Sequence, residues 1–445
     1  MNEASLESRS QERLVLCLLA AAQFINIVDF VIIMPLGPRL MRTLEISPRQ
    51  FGLIVSSYTF TAALAGLLAA LFIDRFDRKS AFLTVFTGFS LGTLCCALAP
   101  DYTTLLVARA VTGAFGGILG GLAMTIVGDV FPDERRGAAT GVLMSAFAIA
   151  SVVGLPIGLK LSRWFDDWHA PFWMLGIPSL VMLACGCLWL PRMRGHLTAR
   201  RPNALAEIRD TISRGVHLRA FALITLLVGG ALLVVPYLAS FFVANMGIDE
   251  ADVPWIYVVG GAVTLVSSPL IGKLADRMGR FALFCRLVTV SGLMMLTVTV
   301  LPPAPLAVAA IATAGLMVAN SGRMIVAMTM INACVVPRHR GSFMSLNSSV
   351  QHLASGLGAY GGGLVIGSNE LGELTNFPIV GLAAAITALA SIALAAGLRP
   401  RATAALDAAA SGAAAPDGDT LVERESSVTL SREVPSVAAG RPEAA

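Results

Sequence analysis

An all-α membrane protein of about twelve transmembrane helices, arranged as two pseudo-symmetric six-helix bundles, is the fold class this sequence predicts. Three observations predict it. Of the 445 residues, 56% are hydrophobic and only 13% charged, with a strongly positive mean hydropathy; a soluble surface cannot hide that much apolar side chain. Apolar stretches near the roughly 20 residues that a bilayer-crossing helix needs recur almost to the end of the chain. Finally, one burst of charge occurs twice: Gly-Lys-Leu-Ala-Asp-Arg-Met-Gly-Arg at 272–280 is echoed by Ala-Leu-Phe-Ile-Asp-Arg-Phe-Asp-Arg at 70–78, an offset of 202 (272 − 70).

The elements follow in order. Residues 1–13 precede span 1, at 14–40, which carries Gln23, Asn26 and Asp29; its length, its internal acid and its lack of a small-residue cleavage pattern distinguish it from a removable signal peptide. Span 2, at 51–73, closes on Asp74, and span 3, at 79–99, follows Arg75, Arg78 and Lys79. Span 4, at 103–129, holds Arg109 and ends on Asp129. Span 5, at 137–162, contains Gly154, Pro156 and Gly158, and span 6 runs over 170–190. The stretch 191–219 is a basic linker. Span 7, at 220–245, includes Tyr237 and Phe241; spans 8 and 9 cover 253–275 and 281–301. Span 10, at 304–334, holds Asn320 and Arg323. Span 11, at 341–366, holds Asn347, Gln351 and His352, and span 12 runs over 376–397. Residues 399–445 turn to Ala, Ser, Glu, Asp, Pro and Arg without periodicity, which reads as a disordered tail.

Lys and Arg collect after spans 2, 4, 6, 8 and 10, at Arg75, Arg78 and Lys79; Arg135 and Arg136; Arg192, Arg194, Arg200, Arg201, Arg209, Arg214 and Arg219; Lys273, Arg277 and Arg280; and Arg338 and Arg340. The positive-inside rule makes those loops, both termini and the tail cytoplasmic. Arg39, Arg42, Arg49 and Arg163 on the other side dilute the bias. This asymmetry also explains most of the net charge of +4, so no nucleic-acid partner is required. The seven cysteines lack zinc or redox spacing and read as buried thiols acting as small apolar side chains. The glycine-rich stretches 113–121 and 354–363 lack the lysine and the strand-to-helix setting of a phosphate loop and fit close helix packing.

A second landmark supports duplication. Arg136-Gly137 and Arg340-Gly341, just before spans 5 and 11, are 204 apart (340 − 136). A six-helix unit occurring twice, over 14–190 and 220–398, is the economical reading. Here a family resemblance becomes specific: 272–280 resembles the loop signature between helices 2 and 3, and between helices 8 and 9, of the major facilitator superfamily. The second copy is complete; the first has Ala70 and Asp77 where the family usually has glycine. Arg109-Ala-Val-Thr-Gly113 resembles the family's helix 4 motif. Gly154-Leu-Pro156-Ile-Gly158 partly resembles the helix 5 motif of its proton-driven exporters, although a Gly/Pro cluster alone equally marks close packing or a kink.

The resemblance implies a cytoplasmic latch in which Asp74 faces the start of span 11 near Gly341 and Ser342, Arg78 pairs with Asp129, Asp276 faces the start of span 5 near Gly137, and Arg280 lies beside the foot of span 10. The alternative is that these charges are topology signals and surface ion pairs.

Asp29 is the acid well inside a span. A carboxylate at the middle of a membrane helix costs about 2.5–3.5 kcal/mol on insertion scales, and such residues face the bundle interior and mark a pathway. Counting at about 1.5 Å per residue, Asp29, Arg109 and Arg323 are compatible with one outer-to-central layer. Whether Asp29 holds a proton then depends on which arginine is close and whether water reaches it. The resemblance to efflux permeases implies Arg109 as its partner. The competing reading is a permanent ion pair that staples two helices, and Arg323 divides between anion-binding and structural roles. Gln23, Asn26, Tyr58, Tyr237, Phe241, Asn320, Asn347 and Gln351 are candidate cavity residues, and His352 a candidate second proton carrier.

These readings converge on a proton-coupled secondary antiporter exporting small organic molecules, a multi-pass protein of a bacterial inner membrane, expected to be monomeric. No catalytic set, metal-spaced cluster or nucleotide motif is present in the sequence, so neither enzyme activity nor a cofactor is expected. The partners are a small-molecule substrate, protons and the lipid bilayer. A proton symporter importing a metabolite, and a receptor or scaffold with the same fold, remain the alternatives.

Overall fold

Without water to satisfy backbone N–H and C=O groups, a chain this apolar has helix as its solution. In a computed structural model, residues 9–193, 204–335 and 340–398 are described; the tail and the centre of the basic linker lie outside them. The first half comprises α1 (Arg9–Ile32), a short α2 (Gly37–Thr43), α3 (Pro48–Phe72), α4 (Arg78–Ala97), α5 (Tyr102–Val130), α6 (Asp133–Ile149) continued through a π-turn into α7 (Leu155–Trp164), and α8 (Ala170–Trp189). After the linker helix α9 (Ala204–Ser213), the second half comprises α10 (Gly215–Val234) continued through a 3-10 turn into α11 (Leu238–Ala244), α12 (Val253–Met278), α13 (Arg280–Thr299), α14 (Leu306–Cys334), α15 (Arg340–Val365) and α16 (Phe377–Ala396), with a two-residue hairpin of β1 (Gly367–Ser368) and β2 (Leu374–Thr375) before α16.

Every expected span is helical, with three corrections. Span 1 ends at Ile32 rather than 40, because Pro35 and Pro38 break it and α2 turns away. Eleven helices among the described residues are long and apolar enough to cross a membrane. The other expected span, α15, has 26 residues but a more polar, glycine-rich sequence, which suits its position packed between α3 and α10. The cysteines are free but not uniformly buried: Cys96 is enclosed, whereas Cys17, Cys95 and Cys187 are exposed on helix faces. Large apolar side chains such as Leu64, Phe147, Leu188 and Ile311 are likewise exposed, the surface expected where the surrounding solvent is hydrocarbon.

The two halves repeat each other. Helices α5 and α14 are offset by 204 at both ends (306 − 102, 334 − 130), α4 and α13 by 202 (280 − 78, 299 − 97), and α8 and α16 by 207 (377 − 170, 396 − 189). Packing repeats too: α5 lies against α3 and α4 as α14 lies against α12 and α13, and α4 meets α8 as α13 meets α16. The first charged loop closes without the usual glycine. Asp77 has φ −56, and its side chain accepts from the N–H groups of Lys79 and Met193 at 3.4 and 2.8 Å, capping α4. The second loop does need its glycine, since Gly279 has φ +83.

Contacts between connections define two ends of the molecule. At the basic end, Arg78 meets Asp129, and Arg135 pairs with Glu12 at 2.8 Å. At the far end, Asp101 caps α5 by accepting from the Thr104 N–H at 2.7 Å, a bond that holds its carboxyl below the usual range. Also at the far end, His169 lies between Asp167 and the carbonyl of Ala99, at 2.5 and 2.9 Å.

Candidate functional site

The densest buried polar cluster lies in the far third of the first half. Asp29 stands in the last turn of α1, facing α4 and α5. Arg109 donates from Nη1 to Asp29 Oδ2 at 2.7 Å and to its backbone carbonyl at 3.2 Å, and Thr93 of α4 donates to Asp29 Oδ1 at 3.2 Å. Both charged side chains are 0% exposed. The Arg109 guanidinium also sits 4.5 Å above the Tyr58 ring, a cation–π contact that strengthens when water is excluded. Tyr58 donates to Asn26 Oδ1 at 2.9 Å, and Asn26 donates to the Gly116 carbonyl at 3.2 Å. Small residues make this possible: a Cβ on Gly113 would lie 2.1 Å from the Tyr58 carbonyl and one on Gly116 2.2 Å from the Tyr58 hydroxyl. Nε and Nη2 of Arg109 and Oε1 of Gln23 have no hydrogen-bond partner.

Arg323 does not join this cluster. It is 2% exposed on α14 and donates from Nη2 to the Leu227 carbonyl of α10 at 2.9 Å, so Asp29 has Arg109 and not Arg323 as its partner. The other expected cavity residues scatter. Asn320 accepts from Ser291 at 2.8 Å, Asn347 donates weakly toward Met328 Sδ at 3.9 Å, and Gln351 is half-buried on α15. Phe241 packs on Phe377, with ring centroids 4.9 Å apart, as core rather than cavity wall. Tyr237 is a seal between halves: it donates to the Ala359 carbonyl at 2.5 Å and packs edge-on against Phe51 of α3.

That seal is part of a set of contacts between the halves at the far end, and the approach of α3 to α15 continues inward, where a Cβ on Gly356 would lie 2.8 Å from the Thr59 hydroxyl. A Cβ on Gly52 of α3 would lie 2.3 Å from the Tyr237 hydroxyl, and one on Gly363 of α15 would lie 2.8 Å from the Pro48 carbonyl. On the same face Arg42 of α2 forms a two-pronged pair with Glu250 of the second half, a hydrogen bond that keeps the guanidinium more firmly protonated than usual. Arg39 ties α2 to Asp166 and to the Ser162 carbonyl. Sequence reasoning missed Thr93, Asp166 and Glu250 and treated Arg39 and Arg42 as mere dilution of charge bias. The available signal was two arginines one turn apart beside a proline-broken helix end.

Toward the basic end, a cleft opens between α3, α5 and α15, lined by Gly66, Ala69, Gly117, Gly121, Ser349 and His352. Of the expected latch residues, Arg78 is buried and bridges Asp74 at 2.7 Å and Asp129 at 2.8 Å, while Asp74 is 61% exposed. Asp276 and Arg280 are exposed and form no ion pair among the described residues. Residues 336–339, the side chain of Arg340 and the surroundings of Gly341, the expected facing position for Asp74, lie outside those described. Gly154 and Gly158 serve packing: Cβ atoms there would lie 2.3 Å from Val28 and 2.9 Å from Ile32 of α1, and Pro156 opens α7 just after the π-turn.

Comparison with known proteins places this geometry in context. The Major Facilitator Superfamily profile matches residues 19–359. A transporter of that type from Bacillus subtilis, YceJ, is 22% identical over 81% of this chain and 91% of its own length; YhcA from the same organism is 31% identical over 38% of this chain and 32% of its own. A probable sugar efflux transporter of Helicobacter pylori is 23% identical over 58% of this chain, a match spanning 65% of that relative. Among solved structures, a D-xylose-proton symporter superposes with a TM-score of 0.70 at 16% identity, over 85% of this chain and 97% of that one. A bacterial homolog of the human lysosomal transporter Spinster superposes with a TM-score of 0.67 at 15% identity, over 88% and 96%.

Proposed function

The chain belongs to the Major Facilitator Superfamily, and we propose that within it the protein is a proton-coupled antiporter exporting small organic molecules across a bacterial inner membrane, with the basic end in the cytoplasm. The observation that carries this reading is the fully enclosed Asp29–Arg109 pair, held by α1, α4 and α5. Efflux as the direction is supported by the helix 5 motif and by the sugar efflux name that the H. pylori relative carries.

Coupling follows from charge balance. While Asp29 is ionised it neutralises Arg109 and clamps α1 to α5. A proton on Asp29 removes that attraction and leaves Arg109 with the Tyr58 face and two spare donors, Nε and Nη2. The clamp then slackens, and the helices that carry it are free to shift. Exchange results when substrate and proton favour opposite states. The contacts between halves at the far end, the cleft toward the basic end and the bond of Asp74 to Arg78 support a cytoplasm-facing conformation. Gln23, Asn26 and Tyr58 are the proposed cavity residues on the side of the pair, His352 lies in the cleft, and Asp74, Arg78 and Asp129, already bridged, form the basic-end latch with Asp276 and Arg280 when the halves rock back.

Proteoliposomes with an imposed pH gradient test this. Outward substrate flow coupled to inward protons is expected; inward co-flow makes the protein an importer, and no flux across a broad panel makes it a receptor or scaffold.

A further inference from the structure

Among the described residues two arginines are buried deep within a span, and they are treated differently. Arg109 has its carboxylate at 2.7 Å; Arg323, 2% exposed, has one backbone carbonyl and no acid paired with it among the described residues. Its Nη1 is enclosed and without a hydrogen-bond partner. Leaving a guanidinium unpaired in a low-dielectric interior is costly, whereas an apolar side chain at the same place costs nothing. An opposite charge supplied from outside the chain would offset that cost.

A second unsatisfied polar group lies on the neighbouring helix. Asn347, also 2% exposed, has an unpartnered Oδ1. At about 1.5 Å per residue, Arg323 lies roughly 16 Å from the basic end of α14 and Asn347 roughly 10 Å from that of α15, within about one helical turn of the same depth. Met328, five residues along α14 from Arg323, touches Asn347, and Met324 and Met328 are half-buried. Methionine side chains adapt to varied apolar shapes, and a guanidinium grips planar or tetrahedral oxyanions through two parallel N–H bonds.

We propose that Arg323 anchors the anionic group, carboxylate or phosphate, of the transported molecule, so that the substrate class is organic anions with an apolar or polar body. This rests on the transporter reading above but not on its proton coupling. Ligand binding is measured at fixed pH on the full-length protein in detergent, using matched probes: acetate, benzoate and gluconate against acetamide, benzamide and glucose, and phenyl phosphate against phenol. At least one anion should bind tenfold or more tightly than its neutral partner; which of the two oxyanions does so identifies the group. Arg323→Gln, which retains a donor for the Leu227 carbonyl, should reduce that ratio below twofold, and Arg323→Lys should retain part of it. Asn347→Ala weakens binding of anions bearing hydroxyl groups only. Equilibrium binding at fixed pH needs no proton gradient, so this readout separates failure of this proposal from failure of the coupling mechanism, which the proteoliposome flux tests. Equal binding of charged and neutral probes by the unaltered protein, or an undiminished ratio in Arg323→Gln, overturns the proposal.

Discussion

At the scale of single residues, the Asp29–Arg109 pair has two readings that make different predictions. As a permanent staple it would matter only for stability; as a proton switch it must matter for coupling even when stability is restored. Asp29→Asn strands the Arg109 charge in a site with 0% exposure, and removing one member of a buried pair typically costs about 3–5 kcal/mol. A lowered melting temperature in detergent and loss of pH-driven transport are both expected. The double variant Asp29→Leu with Arg109→Met removes both charges, so much of the stability should return while proton coupling stays lost. Recovery of coupling along with stability would reduce the pair to a staple. The sequence made this pair legible because an acid inside an apolar span is rare and conspicuous. Residue counting did not decide which arginine would meet the acid, since it gives depth along a helix but not which neighbour it faces; the family resemblance pointed to Arg109, the partner found. Thr93 was invisible for the same reason: an intramembrane threonine normally bonds its own helix, as Thr112 does to the Ala108 carbonyl at 2.7 Å.

Elements were the most legible level, because hydropathy and length fix where a helix must be. What escaped were interruptions with weak composition signals: the π-turn at Ala150–Gly154 and the 3-10 turn at Val235–Tyr237, each inside a continuous apolar run. Close packing was anticipated from glycine content but not position by position, and position decides the effect. Gly113 lies against the α3 backbone, so Gly113→Ala must push α3 from α5 and displace Tyr58 from Arg109; overpacking of this kind typically costs about 1–3 kcal/mol. Gly128, on the same helix with nothing within 4 Å of an added Cβ, should accept alanine with a gain, since helical glycine is about 1 kcal/mol worse than alanine. Opposite signs in thermal unfolding are expected; equal effects would contradict the packing described. The duplicated charged loops give a parallel contrast. Gly279→Val forces a β-branched residue to φ +83, a strain of about 1–3 kcal/mol, whereas Asp77→Gly in the first copy strains nothing and loses a cap worth about a few tenths of a kcal/mol and the bond from the Met193 N–H, worth about 0.5–1.5 kcal/mol.

For the whole molecule, the contacts that join the halves at the far end were the hardest to read from sequence, because they depend on residues 208 apart, Arg42 and Glu250, and on backbone-to-backbone approach at glycines. The two components of the closure carry unequal weight. Arg42 is 64% exposed and Glu250 30%, and exposed pairs contribute about 0.2–1 kcal/mol, so Arg42→Ala should shift the balance of open and closed far ends by only roughly 1.4- to 5-fold, less at high salt. Gly363 is different. A Cβ there meets the Tyr237 hydroxyl at 2.5 Å and the Pro48 carbonyl at 2.8 Å, so Gly363→Val drives a wedge between α3 and α15 and disturbs the Tyr237 bond to Ala359 at once. An overpacking cost of about 1–3 kcal/mol, borne by the closed state alone, corresponds to a population shift of about 5- to 150-fold. Spin labels on Glu45→Cys and Glu370→Cys, exposed far-end sites in opposite halves, with the native cysteines replaced, report that end directly. The label-to-label distance should lengthen strongly in Gly363→Val and slightly in Arg42→Ala. If it stays unchanged in Gly363→Val while the protein remains folded, the glycine contact is not what keeps the far end shut. If Arg42→Ala moves it more than Gly363→Val does, the ion pair rather than the packing is the gate.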